Sequence, residues 1–215
     1  MSDDIIARMT KAAEAADRDV KDISLIAVSK QQPEDRIEQA LGAGYRRFGE
    51  NRVQEAMARW QARRNVYSDL ELHLIGPLQS NKAADAVQLF DVIHTVDREK
   101  IAKTLAAEMQ KQDRHLPCFI QVDTGEEEQK SGILPEQASE FIHYCQQDLA
   151  LNIAGLMCIP PLDENPAIHF GFLKHLSEKS GLVGLSMGMS ADFETAIAFG
   201  ASHIRVGSAL FGNRN

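Results

Sequence analysis

Eight times along this chain an apolar run breaks at a glycine, a proline or a polar turn and gives way to a segment with helical spacing. The runs begin near residues 24, 45, 71, 91, 117, 151, 184 and 203. An apolar run without strict polar alternation fits a strand covered on both faces, as in a parallel sheet beneath helices. Eight such units in succession imply closure into a single-domain (β/α)8 TIM barrel over residues 1–215. The competing open, doubly wound sheet usually carries a glycine fingerprint after its first strand. Here that position holds Lys30-Gln31-Gln32-Pro33, which favours the barrel. An extra helix precedes the first strand, with Ile5, Ile6, Met9, Ala12, Ala13 and Ala16 forming its apolar stripe and Ser2 or Asp3 its cap.

The punctuation sets expected boundaries within the repeat. Strands are expected over Tyr45–Gly49, Glu71–Ile75, Asp91–Val96, Pro117–Asp123, Leu151–Cys158, Gly184–Met187 and His203–Val206. Pro33 and Pro135 can each open a helix, the second running to about Gln147, and a further helix is expected over Ser190–Phe199 with Ser190 as its N-cap.

Composition narrows the functional classes. A net charge of -8 argues against nucleic acid as a partner, since phosphate backbones call for basic surfaces. The opening Met1-Ser2-Asp3-Asp4 is acidic where a secretory leader is basic, and no apolar stretch approaches the ~20 residues of a membrane span. The expectation is a cytoplasmic protein with no membrane partner. Cys118, Cys145 and Cys158 lack metal or disulfide spacing and read as reduced structural thiols.

Chemistry concentrates at the predicted strand ends. Ser24-Leu25-Ile26-Ala27-Val28-Ser29-Lys30 stops abruptly at a lysine, at the end of the strand where α/β barrels place their sites. Such an amine is a candidate Schiff-base former if its pKa is lowered by burial or a nearby cation. A solvated lysine at a strand end is the ordinary alternative. In His203-Ile204-Arg205-Val206 the apolar pair faces the helices, so His203 and Arg205 point into the barrel. Arg205 would then share the mouth with Lys30 and favour its neutral form, unless it is a structural arginine paired with an acid. Ser186-Met187-Gly188-Met189-Ser190 and Gly207-Ser208 turn from strand toward helix in units seven and eight, where barrels often bind phosphate. Asp192 competes for the same donors. The run Glu126-Glu127-Glu128 reads as a solvated loop.

A phosphorylated aldehyde satisfies all three features, and pyridoxal 5'-phosphate (PLP) is such a ligand: Lys30 would hold its aldehyde carbon as an internal aldimine while Arg205 faces the ring nitrogen. An arginine there disfavours ring protonation and weakens the ring as an electron sink, which suits a holder of the cofactor better than a versatile catalyst.

Five stretches carry a family resemblance. They are Ile26-Ala27-Val28-Ser29-Lys30; Phe48-Gly49-Glu50-Asn51 with Val53-Gln54-Glu55; His73-Leu74-Ile75-Gly76-Pro77-Leu78-Gln79-Ser80-Asn81-Lys82; Ser186-Met187-Gly188-Met189-Ser190; and Arg205-Val206-Gly207-Ser208-Ala209-Leu210-Phe211-Gly212. In this order they resemble the pyridoxal phosphate homeostasis protein family from about residue 5 to the end. The resemblance implies a fold type III PLP-binding barrel like the N-terminal domain of alanine racemase. It further implies PLP on Lys30, Arg205 at the pyridine nitrogen, phosphate held by Ser190, Gly207 and Ser208, and Asn51 near the cofactor. Intracellular buffering and delivery of PLP to apo PLP-dependent enzymes, without turnover, is the function it implies. Two departures stand out: Gln32 replaces a second lysine common in relatives, and Ser208 replaces a frequent threonine. Lys130 matches a family lysine and is a candidate second amine for cofactor exchange, or a solvated surface residue. A racemase or decarboxylase on the same barrel, and a sugar-phosphate aldolase, are the alternatives. A racemase needs a second acid/base, and Tyr45, Tyr67 and Tyr144 do not sit at predicted strand ends. The absence of a second domain makes a monomer the expectation.

Overall fold

The computed structural model describes residues 3–127 and 131–212; Ser2 and Lys130, with the cap and the exchange role considered for them, lie outside these residues, and so does Glu128 of the acidic run. Eight parallel strands close in sequence order, β1 Ser24–Val28, β2 Arg47–Glu50, β3 Glu71–Leu74, β4 Val92–Val96, β5 Cys118–Gln121, β6 Ile153–Met157, β7 Gly184–Met189 and β8 His203–Val206. Helix α1, Asp3–Ala15, precedes the barrel and leans on the outer helices, with Arg8 paired to Glu194. The others follow the strands in turn: α2 Glu34–Gly42, α3 Val53–Trp60, α4 Ala83–Leu89, α5 Glu99–Gln112, α6 Ala138–His143, α7 Pro166–Lys179, α8 Phe193–Ala198 and α9 Ser208–Phe211. The expected barrel, its order and its extra N-terminal helix are all present. Among the described residues no helix is long and apolar enough to cross a membrane.

Closure sets Ile26 of β1 against Arg205 of β8 and Ala27 against Val206. The main apolar core lies between sheet and helices, where Phe48, Trp60, Leu72, Phe90, Ile120 and Phe193 are buried. Each such side chain taken from water contributes roughly 1.5–3 kcal/mol before the entropy of ordering is charged against it. Inside the ring the apolar cluster is small: Val92, Phe119 and Met157. Ile26 and Ile75 also meet inside the ring, beside Gly49, and among them lie polar groups, with His73, His94, Ser186 and Arg205 all buried. Barrel interiors are usually layers of branched aliphatic side chains, so these groups must satisfy one another.

Several strand ends shift by one or two residues from the sequence expectation, and three differences have a visible physical cause. Tyr45 was expected in β2, but its N–H is committed to Ala40 O at 3.0 Å in the wrap that ends α2, so the strand starts at Arg47. The single helix expected after Pro135 is three segments: a 3-10 turn over Pro135–Gln137, α6, and a wider π turn over Tyr144–Asp148. The helix expected from Ser190 begins at Phe193, because Asp192 Oδ1 accepts the Met189 N–H at 2.6 Å and closes a turn first. All three cysteines are buried, and burial pushes each thiol up to about 12, consistent with structural rather than reactive roles.

Candidate functional site

Lys30 stands two residues beyond β1 at the carboxyl-terminal mouth, half-buried, in a turn closed by the Gln32 N–H donating to Ser29 O at 3.0 Å. Gln31 takes φ 57°, a left-handed conformation that a side chain adopts only when its surroundings enforce it. The enforcement comes from α3. Arg59 donates to Ser29 O at 2.9 Å and to Gln32 O at 3.1 Å, gripping the turn on both sides of Lys30. Arg59 also donates to Glu50 Oε1 at 2.8 Å, an oxygen that accepts Ser29 Oγ–H at 2.8 Å and Trp60 Nε1–H at 3.0 Å. Burial works against the Arg59 charge, but Glu50 and Glu34 more than restore it, so its pKa lies above the ordinary value. Gln32, at the position of the missing second lysine, is buried; its carbonyl is held by Arg59 and its side-chain oxygen accepts from Arg36 Nη1 at 3.4 Å.

Arg205 lies on β8 where parity puts it, inside the barrel and 4% exposed. Its Nη1 donates to Ser186 Oγ at 2.7 Å and its Nη2 to Cys158 O at 2.9 Å. Burial lowers its pKa from the ordinary value; Cys158 and Asp192 act in the opposite direction. Among the described residues no carboxylate lies within ion-pair distance of it, so the reading of a structural arginine paired with an acid is not met. A desolvated guanidinium hydrogen-bonded to a hydroxyl and a carbonyl is suited to an electron-rich atom of a ligand. His203, also inward, has its pKa lowered to about 4, chiefly by burial and then by His73.

The expected phosphate turns do meet, but differently from the simple picture. Ser190 does not cap α8. Its Oγ accepts the N–H groups of Gly207 at 3.2 Å and Ala209 at 3.3 Å, tying the end of β7 to the start of α9. Asp192 occupies the Met189 donor, the competition foreseen in the sequence. A hydroxyl that already accepts two N–H bonds has its own proton left to donate, so Ser190 can face an anion with Gly207 and Ala209 behind it. Ser208, with its hydroxyl, is exposed at the same rim. Gly188 makes this turn possible: its φ is +90°, and a Cβ there would lie 2.5 Å from Ala196 Cβ.

Asn51 follows β2 and lines a mouth cavity of about 270 Å³ with Gly76, Gln121, Asp123 and Ser131. A Cβ on Gly76 would lie 2.4 Å from Asn51 O, so only glycine lets the loop after β3 pack so closely on Asn51. A larger cavity of about 780 Å³ opens at the opposite end, beside Arg47 and Glu71, away from the lysine and both turns. Volume therefore does not mark the site; the donor and acceptor chemistry at the mouth does. The Glu50–Arg59 clamp and the interior histidines His73 and His94 escaped the sequence reading. For the histidines the signal was a polar residue inside an otherwise apolar strand; for the clamp it was a carboxylate closing β2 and an arginine on α3.

The family model described as alanine racemase, N-terminal domain, matches residues 3–215. A pyridoxal phosphate homeostasis protein of Pseudomonas aeruginosa is 41% identical, over 98% of this chain and 93% of its own length. PipY of Synechococcus elongatus, solved with PLP bound, is 38% identical with a TM-score of 0.81, covering 95% of this chain and all of that one. An alanine racemase of Clostridium difficile, 13% identical with a TM-score of 0.72, shares the fold over 98% of this chain and 56% of its own. With near-complete coverage on both sides, this chain belongs to the pyridoxal phosphate homeostasis protein family.

Proposed function

We propose that the protein binds pyridoxal 5'-phosphate through Lys30 and takes part in intracellular PLP homeostasis, storing and delivering the cofactor without catalytic turnover. The observation that carries this reading is Arg205: a buried cation at the barrel mouth whose named partners are one hydroxyl and one carbonyl. A pyridine nitrogen with its lone pair free is the kind of acceptor it can serve, and the solved PLP-bound PipY supports the same ligand. When bound, the cofactor supplies an aldehyde carbon that condenses with an amine. Lys30 contributes the amine, the Arg59 clamp sets its position, Ser190 with Gly207 and Ser208 grips the phosphate, and Asn51 borders the ligand. Arg205, which cannot give up its proton, keeps the ring nitrogen unprotonated and so limits electron withdrawal.

The chain's tyrosines also speak against a two-base racemase. Tyr45 borders the cavity at the far end, Tyr67 packs its ring under Arg46 at 5.0 Å, and Tyr144 packs beside Phe141 on the outside of the barrel. None is on the loops that border Lys30. Reconstitution with PLP followed by borohydride reduction and peptide mapping tests the assignment. A visible absorbance band and a reduced adduct on Lys30 are expected, both lost in Lys30→Ala. A reduced adduct that persists in Lys30→Ala overturns the covalent assignment, and sustained amino-acid racemisation dependent on Lys30 overturns the non-catalytic one.

A further inference from the structure

Behind Arg205 a continuous line of side chains crosses the barrel interior. Ser186 Oγ lies 2.8 Å from His94 Nδ1, His94 Nε2 lies 2.9 Å from His73 Nδ1, and His73 Nε2 lies 3.1 Å from Glu71 Oε1. The line starts at a guanidinium, which only donates, and ends at a carboxylate, which only accepts. With both rings neutral, these two ends leave one assignment. His73 Nε2 has no hydrogen bond of good geometry, but its 3.1 Å ion-pair approach to Glu71 Oε1 favours the proton on that nitrogen, so His73 Nδ1 accepts from His94 Nε2–H. His94 Nδ1 then accepts from Ser186 Oγ–H, and Ser186 accepts from Arg205 Nη1–H.

We propose that Ser186, His94 and His73 are positioning residues for Arg205, forming a directional hydrogen-bond relay that holds the guanidinium from behind and ends at His73, whose far nitrogen lies at ion-pair distance from Glu71 on the opposite rim of the barrel. The relay has a second state that differs by one added proton. With that proton on His73, its Nδ1–H donates to His94 Nε2, His94 Nδ1–H donates to Ser186 Oγ, and the serine proton turns away. The extra charge then rests beside Glu71, and Ser186 accepts from both Arg205 and His94. No covalent bond other than N–H changes.

The surroundings favour His73 as the ring that carries the charge. Of the three interior imidazoles it is the one in contact with a carboxylate. His94 stacks on Phe119 with ring centroids 4.5 Å apart, and burial, then His73, His203 and Arg205, hold it well below its ordinary pKa. His203 lies 6.1 Å from His73 and 5.7 Å from His94, centroid to centroid. Arg47 pairs with Glu71 at 3.0 Å from the neighbouring strand, and Asp192 faces Arg205 from the mouth side. The Glu71 carboxyl is pulled down to about 2, first by its bond to His73, so it stays an acceptor at neutral pH.

The ligand-free part of this inference stands without the PLP reading; the consequence for the bound cofactor rests on it. The test is a histidine 1H–15N spectrum of the labelled full chain without ligand, assigned through single His→Gln variants. At about pH 8, above the ordinary imidazole pKa, both His73 and His94 are expected with the proton on Nε2. On acidification His94 switches its proton to Nδ1 at the pH where His73 becomes charged. Glu71→Gln, at a half-exposed position, removes the charge beside His73 and should change the response of the His94 signal to acid. In PLP-loaded protein, Ser186→Ala should shift the pH profile of the visible band, and Ser186→Thr should restore it. A His94 proton on Nδ1 at the higher pH overturns the relay, as does a His94 signal indifferent to Glu71→Gln in folded protein. If Ser186→Ala does not fold, the wild-type titration and Glu71→Gln still decide. Failure to load PLP with an intact ligand-free relay sinks the cofactor reading alone.

Discussion

Arg59 and Glu50 form an ion pair at 2.8 Å in which the carboxylate is fully buried, and the same guanidinium holds the two carbonyls that bracket Lys30. The pair thus links the stability of the barrel to the position of its candidate nucleophile. Removing one partner of a buried pair strands the other, which costs about 3–5 kcal/mol. Arg59→Ala should therefore lower the denaturant midpoint by that equivalent and slow adduct formation at Lys30. Normal stability with normal loading would show that the clamp is incidental.

Gly188 should tolerate no side chain. Its left-handed φ of +90° and the 2.5 Å approach to Ala196 predict a loss of about 1–3 kcal/mol for Gly188→Ala. Because the strain falls on the Ser190 turn, PLP affinity should fall as well. Equilibrium unfolding and a spectroscopic titration read the two effects separately.

Ser190→Ala removes the acceptor shared by Gly207 and Ala209 and the one proton left to donate to an anion. Loss of a charge-assisted hydrogen bond is worth about 1.5–3 kcal/mol, so PLP should bind tens-fold more weakly. Binding of pyridoxal without its phosphate should change far less. Equal weakening of both ligands would place Ser190 outside the phosphate site.

His203 makes stability depend on pH. Its pKa falls from 6.5 to about 4 on folding, so between these values the unfolded chain binds the extra proton and the folded one does not. Stability is complete above about 6.5 and is lost as pH falls toward about 4. Glu71, lowered from 4.5 to about 2, extends the loss to more acid pH. Denaturation midpoints measured across this range should decline, and His203→Gln should flatten the upper part of the decline. An unchanged slope in that variant would assign the acid sensitivity elsewhere.

The strand count, their order around the ring, the place of Lys30 and the inward face of Arg205 could be read from the chain because each rests on local pattern. Apolar runs, turn residues and the two-residue alternation of a strand are written in neighbouring positions. The limits of local pattern appear at Ser190: next to Gly188 and Met189 it reads as a helix cap, yet its partners are 17 and 19 residues away. The clamp on Lys30 joins Ser29, Glu50 and Arg59 from three elements, and the line from Arg205 to Glu71 joins four strands. Nothing in a strand's own residues says which polar group another strand will present to it. The sequence alone therefore determined that this protein closes a barrel with an amine at its mouth. Only the tertiary structure decided which buried groups meet, because hydrogen-bond partners inside a barrel are set by the register of strands far apart in the chain.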